Sequence, residues 1–212
     1  MNKEQIQKAV EELQKQPARK FTQSYDLIIN LKDLVLSQNP VDVFVTLPFQ
    51  QGKKVKVAAF VDQQLAGSAE KCCDAVIKEN DFVKYANKKE LKKLAESYDY
   101  FIAQANLMPK IAATFGKALG TKGKMPNPKL GCVVPPTANL DLLVKRLNVT
   151  VRLTTKKGLN LQCLIGKENQ PAAEIIENIL AIYNTVVKQL PNESQNIKNI
   201  LLKRTMGTPV RM

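Results

Sequence analysis

Between residues 55 and 150 the chain alternates between short apolar runs and amphipathic helical patterns. Two of these runs, Val55–Val61 and Tyr100–Gln104, have the length and composition of buried strands. The predicted order is strand 55–61, helix 64–72, strand 75–77, helix 88–97, strand 100–104, helix 107–115 and helix 140–147. Strands that alternate with helices form parallel sheets with crossover helices, so this region predicts a three-layer α/β domain with a Rossmann-like parallel sheet.

The two ends of the chain resemble each other more than either resembles the middle. An opening helix places Ile6, Val10 and Leu13 on one face and should end before Pro17. The other predicted elements are strands 24–31 and 41–47, a hairpin of 149–154 and 159–165 around residues 156–158, helix 171–189 and strand 197–203. We therefore predict a discontinuous α+β domain, residues 1–54 and 151–212, into which the α/β domain of residues 55–150 is inserted.

The segment Gly116–Pro128 concentrates glycine, lysine and proline, and it predicts a shaped basic loop. Its lysines are Lys117, Lys122 and Lys124. A phosphate-binding loop of the form Gly-x-x-x-x-Gly-Lys-Ser/Thr would be the enzymatic interpretation. Ala118 stands where the first glycine would be needed and Met125 where the hydroxyl would be needed, so the motif is not met.

The net charge of the chain indicates its class of partner, and its histidine and cysteine content excludes some kinds of catalytic and metal site. The chain carries 32 Lys and Arg against 19 Asp and Glu, a net charge of +13, which favours a polyanionic partner. Histidine is absent, which excludes histidine-based catalysis, and the four cysteines lack zinc-finger spacing. We expect no cofactor and no metal, buried reduced thiols, no membrane span, no signal peptide and a cytoplasmic location.

Four segments occur in the order found in the ribosomal protein L-one family, the protein of the mobile stalk of the large subunit. They are residues 20–31, 101–109, 119–128 and 205–207. The resemblance covers essentially the whole chain and is to an archaeal-type member. It implies a non-enzymatic protein of two hinged domains that is a monomer off the ribosome. Its partner would be 23S-type ribosomal RNA beside the exit site.

The resemblance also implies finer roles and a set of RNA-contacting residues. The protein would assist release of deacylated tRNA and repress translation of its own mRNA. The main RNA contacts would come from the domain made by both ends. They map onto Lys20, Phe21, Ser24, Gly158, Lys203, Arg204, Thr205, Met206 and Gly207. Lys117, Lys122 and Lys124 would form a secondary basic loop.

Two of these residues keep a second interpretation from the sequence alone, and three segments of the chain depart from the family's pattern. Phe21 could instead cap the core beneath the opening helix, and Gly158 could be only a hairpin glycine. The family's His and one glycine are missing from Leu47–Lys53, and Gln23 stands where an acid is common. The proline of the tail is moved by one position, to Pro209.

Two alternative functions remain on the sequence evidence. Parallel sheets often bind a nucleotide at a switch point, but no Gly-x-Gly-x-x-Gly fingerprint follows the strand Val55–Val61. A DNA regulator would need a helix-turn-helix signal, which the sequence does not show. The interpretation that we favour is binding to a folded RNA without catalysis.

Overall fold

The computed structural model describes residues 2–35, 39–155 and 158–212. In chain order the elements are α1 (Lys3–Gln14), β1 (Ser24–Leu31), β2 (Asp42–Thr46), β3 (Val57–Val61), α2 (Gln63–Cys72), β4 (Ala75–Lys78), α3 (Lys88–Ser97), β5 (Tyr100–Gln104), α4 (Met108–Lys122), β6 (Val133–Val134), α5 (Leu140–Asn148), β7 (Thr150–Thr154), β8 (Asn160–Lys167), α6 (Ala172–Gln189), β9 (Ile197–Arg204) and β10 (Val210–Arg211). Short 3-10 helices cover Glu79–Ala86, Ala105–Leu107, Pro128–Leu130 and Glu193–Asn196.

The chain forms two compact units. One contains the residues up to 53 together with those from 149 onward, and the other contains residues 54–148. That these units fold as independent domains, with boundaries near 54 and 151, stays a prediction. The mixed α+β and α/β fold class is confirmed by the elements of each unit.

The unit made by both ends is built on an antiparallel sheet with the strand order β10-β9-β1-β8. Alternate residues of β1 point into the core, where Tyr25, Leu27, Ile29 and Leu31 are buried. The helices α1 and α6 pack on this inner face because their apolar residues recur at helical spacing. β2 and β7 form a separate antiparallel pair that packs on α6. On the opposite face of the four-stranded sheet, the residues that β1 contributes are partly exposed.

The second unit is a parallel sheet with the strand order β4-β3-β5-β6. All five residues of β3 are buried, since helices cover both faces of the sheet. Ala58 and Phe60 face a core made with α3 and α4, in which Phe60 lies 4.8 Å from Phe115 between ring centroids. On the other side, α2 packs on β3 and β4, and α5 packs on α2. This is the predicted three-layer arrangement with a parallel sheet.

The predicted loop at Gly116–Pro128 is wrong for its first seven residues. α4 continues through Gly116 and Gly120 to Lys122, because Ile111, Phe115 and Leu119 keep the helical spacing on the buried face. The helix ends at Gly123, whose φ of 66° is in the left-handed region that favours glycine. Only the part from Gly123 onward is a loop.

The predicted hairpin is also wrong. Along the described residues, β7 pairs with β2, and β8 pairs with β1 rather than with β7. Alternation marks a strand but does not specify its partner, which explains the error. Lys156 and Lys157, in the predicted turn, lie outside the described residues.

Two further sequence expectations concern cysteines and membrane spans. All four cysteines are free; Cys132 and Cys163 are buried, whereas Cys72 and Cys73 are only partly buried, contrary to the expectation for all four. Within the described part of the chain, no helix combines the length and apolar character needed to cross a bilayer.

Candidate nucleic-acid interface

The two predicted contact segments meet at one end of the antiparallel sheet. Ser24 begins β1, and Thr205 follows the last residue of β9, which pairs with Tyr25. The Ser24 N–H donates to the Thr205 hydroxyl at 3.0 Å, and the Thr205 N–H donates to the Ser24 carbonyl at 3.1 Å. These bonds join residues 181 positions apart in sequence, so the fold itself assembles the surface.

Apolar side chains flank this junction on the outside. Met206 is 61% exposed and Phe21 is 50% exposed. The Met206 N–H donates to the side-chain oxygen of buried Gln23 at 3.2 Å, so the backbone is held while the thioether side chain faces solvent. The structure therefore does not place Phe21 in the core. Exposed apolar side chains on an otherwise polar edge are suited to contact with a partner.

Arg204 lies beneath this surface and not on it. Its guanidinium is almost fully buried, 2.7 Å from a carboxylate oxygen of Glu168 and 5.8 Å from the ring centroid of Tyr25. Glu168 also accepts from the Gln23 N–H at 3.2 Å. This partly buried ion pair joins the end of β9 to the residue that follows β8. Alternate residues of a strand share one face, so the spacing of Arg204 from buried Ile200 and Leu202 in β9 indicates its inward position.

The backbone of Gly207 lies close to the side chains of Gln16 and Arg204. A Cβ atom at this position would clash with the side-chain oxygen of Gln16 and come within 3.2 Å of the Arg204 Cβ. The Gln16 amide nitrogen donates to the Thr208 hydroxyl at 2.9 Å and to its carbonyl at 3.1 Å. Moving the proline from 208 to 209 thus leaves a hydroxyl that Gln16 binds. Neither Gln16 nor Glu168 was found by sequence analysis, because their roles depend on contacts across the fold.

The charges at this end of the sheet are mixed. Lys20 is exposed, and Lys203 lies on the solvent side of β9 opposite Asp26 of β1. Partial burial raises the pKa of the Asp26 carboxyl, an effect that Lys203 partly offsets. Farther along the same face, the side-chain amide of Asn30 donates to the side-chain oxygen of Asn199 at 2.6 Å. Ammonium, hydroxyl and amide groups are the types that contact phosphates and ribose hydroxyls.

Gly158 is not brought together with these residues. β8 begins near it, and Asn160 pairs with Asn30, whereas Lys167 at the other end of β8 pairs with Ser24. Seven residues of strand at about 3.3 Å each separate the two ends by roughly 20 Å. Gly158 is exposed at the far end of the sheet from Thr205.

The lysines of the predicted basic loop lie in the other unit and have different surroundings. Lys117 is exposed on α4, and the ammonium of Lys122 lies 3.3 Å from the carboxylate of Glu96. The Lys124 ammonium donates to the carbonyls of Ala95 and Tyr98, at 2.9 and 2.6 Å. It thereby satisfies carbonyls at the C-terminal end of α3. Lys124 stabilises its own unit, which a sequence pattern of glycines and lysines could not reveal.

The parallel sheet does not offer a ready nucleotide site at its switch point. The strand order reverses between β3 and β5, where a phosphate would meet the N-terminus of α2. That end is capped by the carboxylate of Asp62, which accepts from the Gln63 N–H at 2.7 Å. The Asp62 N–H is bound in turn by buried Gln104 at 3.0 Å. An acid at this position disfavours an anionic ligand.

The cysteine and carboxylate side chains of the described residues show neither a metal cluster nor a thiol with a lowered pKa. Within residues 2–35, 39–155 and 158–212, no three Cys, Asp or Glu side chains gather in a way that could hold a metal ion. Burial raises the pKa of the Cys132 thiol to about 11 and that of Cys163 to about 12. Thiols with such pKa values are neutral and weakly nucleophilic near pH 7.

Comparison with known proteins gives a family match over most of the chain and several similar named proteins. The model of the family described as "Ribosomal protein L1p/L10e family" matches residues 13–208. A protein named large ribosomal subunit protein uL1 from Methanothermococcus thermolithotrophicus is 41% identical, over 100% of this chain and 99% of that protein. Proteins of the same name are 39% identical in Nanoarchaeum equitans, over 92% of each chain, and 37% identical in Methanocaldococcus jannaschii, over 100% and 96%.

Proposed function

Because this chain belongs to the ribosomal protein L1p/L10e family, we propose that it is a structural protein of the large ribosomal subunit that binds ribosomal RNA. The unit made by both ends would hold the specific contacts. Binding, and not catalysis, is the proposed activity.

The observation that carries this proposal is the junction of Ser24 with Thr205–Gly207. Two hydrogen bonds join the segments there, and buried Arg204 and Gln23 hold them from below. The exposed groups left on this rigid edge are a hydroxyl, a thioether, an aromatic ring and the ammonium of Lys20. Such a set can neutralise a phosphate, bond ribose hydroxyls and pack on sugar or base, as recognition of folded RNA requires.

The finer roles follow from the family resemblance. We propose binding at the mobile stalk beside the exit site, assistance to release of deacylated tRNA, and repression through a similar fold in the protein's own mRNA. Lys117 would add a secondary contact from the other unit. The location would be the ribosome in the cytoplasm, with the protein a monomer when it is off the ribosome.

The test is equilibrium binding of the full chain at one fixed salt concentration. The ligands are the stalk region of 23S-type RNA, an RNA of equal length and scrambled sequence, and duplex DNA of equal charge. We expect the stalk RNA to bind at least about 10³-fold more tightly than the other two, the low end of specific over nonspecific nucleic-acid binding. Equal dissociation constants for the three ligands would contradict the proposal. Adding the leader of the protein's own mRNA as a competitor tests repression separately.

A further inference from the structure

The segment Phe49–Lys53, where the chain departs from the family's pattern, is fastened to its own unit by side-chain amides. The Phe49 N–H donates to buried Asn178 of α6 at 3.1 Å. The Gln170 amide donates to the Gln50 carbonyl at 2.8 Å, and the Gln51 amide donates to the Thr150 carbonyl at 3.3 Å. A loop held at three successive residues has a defined path along the edge of the sheet.

This path brings the backbone of Gly52 against the side chain of Lys167. Gly52 has a φ of 73°, and a Cβ atom there would lie 2.9 Å from the Lys167 Cγ and 3.1 Å from its Cδ. Glycine is therefore needed both for conformation and for close approach. Gln170 also accepts from the Lys167 N–H at 2.7 Å, so one side chain joins the loop to the end of β8. The aliphatic part of Lys167 is confined between the loop and its own strand.

The position of Lys167 connects this loop to the candidate interface. Lys167 pairs with Ser24 across β8 and β1. Directly paired residues have Cβ atoms about 5 Å apart and point to the same face. Among the described residues, no carboxylate forms an ion pair with Lys167, and the neighbouring Glu168 is occupied by Arg204. Lys167 thus presents an ammonium group, without an acidic partner in the described chain, beside Ser24.

We propose that Lys167 is a phosphate contact of the RNA surface and that the Phe49–Lys53 loop positions it. This inference rests on the proposed function and extends the interface across β1 onto the edge strand β8. The aliphatic stem of Lys167 already packs against Gly52 in the free protein, which restricts its rotamers. Binding of its ammonium to a phosphate therefore costs less side-chain entropy. The occupant is the backbone of the same RNA that contacts Ser24 and Thr205.

The test is the salt dependence of binding to the stalk RNA by the full chain. Each phosphate contact contributes about 0.7 to 0.9 to the slope of log K against log salt. Lys167→Gln should therefore make the slope shallower by about that amount and weaken RNA binding severalfold at low salt. Lys167→Arg keeps the positive charge, so its slope and its RNA affinity should both match those of the wild type. The matched control is Lys198→Gln, which removes one charge from exposed Lys198 at the opposite end of the same sheet.

A second variant tests the role of the loop. Gly52→Ala should weaken RNA binding in the wild-type background and have little further effect on the slope in the Lys167→Gln background. Melting temperatures report whether either variant is folded. An unchanged slope in Lys167→Gln, or equal losses in Lys167→Gln and Lys198→Gln, would overturn this inference. Thr205→Ala separates the role of Lys167 from the proposed function. If Thr205→Ala weakens RNA binding and Lys167→Gln does not, only the role of Lys167 is wrong. If neither variant weakens RNA binding, the proposed function is wrong as well.

Discussion

Met206 is an apolar residue whose side chain is exposed within the proposed RNA contact. Its side chain is largely exposed although its backbone is tied to Gln23. Met206→Ala should raise the dissociation constant for the stalk RNA by about 5- to 150-fold, or about 1 to 3 kcal/mol, the scale of an interface anchor. The free energy of unfolding should hardly change, since little buried surface is lost.

Two variants serve as controls for Met206→Ala. Leu142 in the other unit is 65% exposed, and Leu142→Ala should leave RNA affinity unchanged. Thr205→Ala should weaken binding by a similar 1 to 3 kcal/mol, about the effect of losing an interface hydrogen bond, while Thr205→Ser keeps the hydroxyl and most of the affinity. Equal RNA affinities for wild type and Met206→Ala at fixed salt would reject this site.

Cys72 allows a test of residue-level electrostatics away from the interface. Its thiol donates to the Asp141 carboxylate at 2.7 Å. Desolvation is the main cause that raises the pKa of the Cys72 thiol to about 11, and the hydrogen bond to Asp141 is the next largest cause. The rate of alkylation of Cys72 by iodoacetamide should keep rising with pH up to about 11, because only the thiolate reacts. Asp141→Asn removes a negative neighbour and should speed alkylation at pH 8.

Mass spectrometry of the labelled peptides measures this effect, and Cys163 is the internal control. Cys163 is buried with its pKa raised to about 12 and should stay unlabelled in both proteins. The electrostatic explanation fails if the rate for Cys72 levels off near pH 9 or is the same in Asp141→Asn.

Sequence reasoning located the exposed part of the site better than its supports. Thr205–Gly207 and Ser24 were predicted together, and the structure joins them by hydrogen bonds; their contact with RNA stays a prediction. The sequence analysis placed Arg204 on the surface because its side chain is charged. Arg204 follows Leu202 by two positions in β9, and this spacing puts both side chains on the same, buried face. Glu168 carries no motif, since its role depends on meeting Arg204 across two strands.

At the scale of elements, α4 contains two glycines that its structure does not need. A Cβ atom at Gly116 or at Gly120 would meet nothing within 4 Å. Gly116→Ala and Gly120→Ala should each raise the free energy of unfolding by about 0.5 to 1 kcal/mol, because alanine loses less backbone entropy in a helix. Urea denaturation measures both changes.

Gly123 provides the opposite case in the same helix. Its φ of 66° makes an L side chain costly, so Gly123→Ala should lower the free energy of unfolding by about 1 kcal/mol or more. If all three glycine variants changed stability in the same direction, the helical assignment of 116–122 would be wrong.

Periodicity predicted most elements, and its failures have physical causes. The bounds of β1 match because apolar residues recur at every second position from Tyr25 to Leu31. Glycine-rich composition hid the last two turns of α4, where burial of Leu119 outweighs helix propensity. β6 and β10 have two residues each, too few for a detectable period. The partner of β7 could not be predicted, since pairing is decided by contacts distant in sequence.

At the scale of the whole molecule, a net charge of +13 supplies attraction without specificity. Affinity for RNA should fall as salt rises, because each neutralised phosphate releases counterions. We propose that specificity comes instead from the edge where Ser24, Thr205 and Met206 lie, and these residues all belong to the unit made by both ends. We therefore expect the charge of the whole chain to attract RNA and one unit to recognise it.

The most direct test of that assignment compares the two units as separate chains. One joins Lys53 to Val149 through a short glycine linker, which keeps all of β7, and the other contains residues 54–148. The measurement is the dissociation constant of each for the stalk RNA at one salt concentration. We predict that the joined chain keeps most of the full chain's specific affinity. Binding of the 54–148 chain as tight as that of the joined chain would contradict the account.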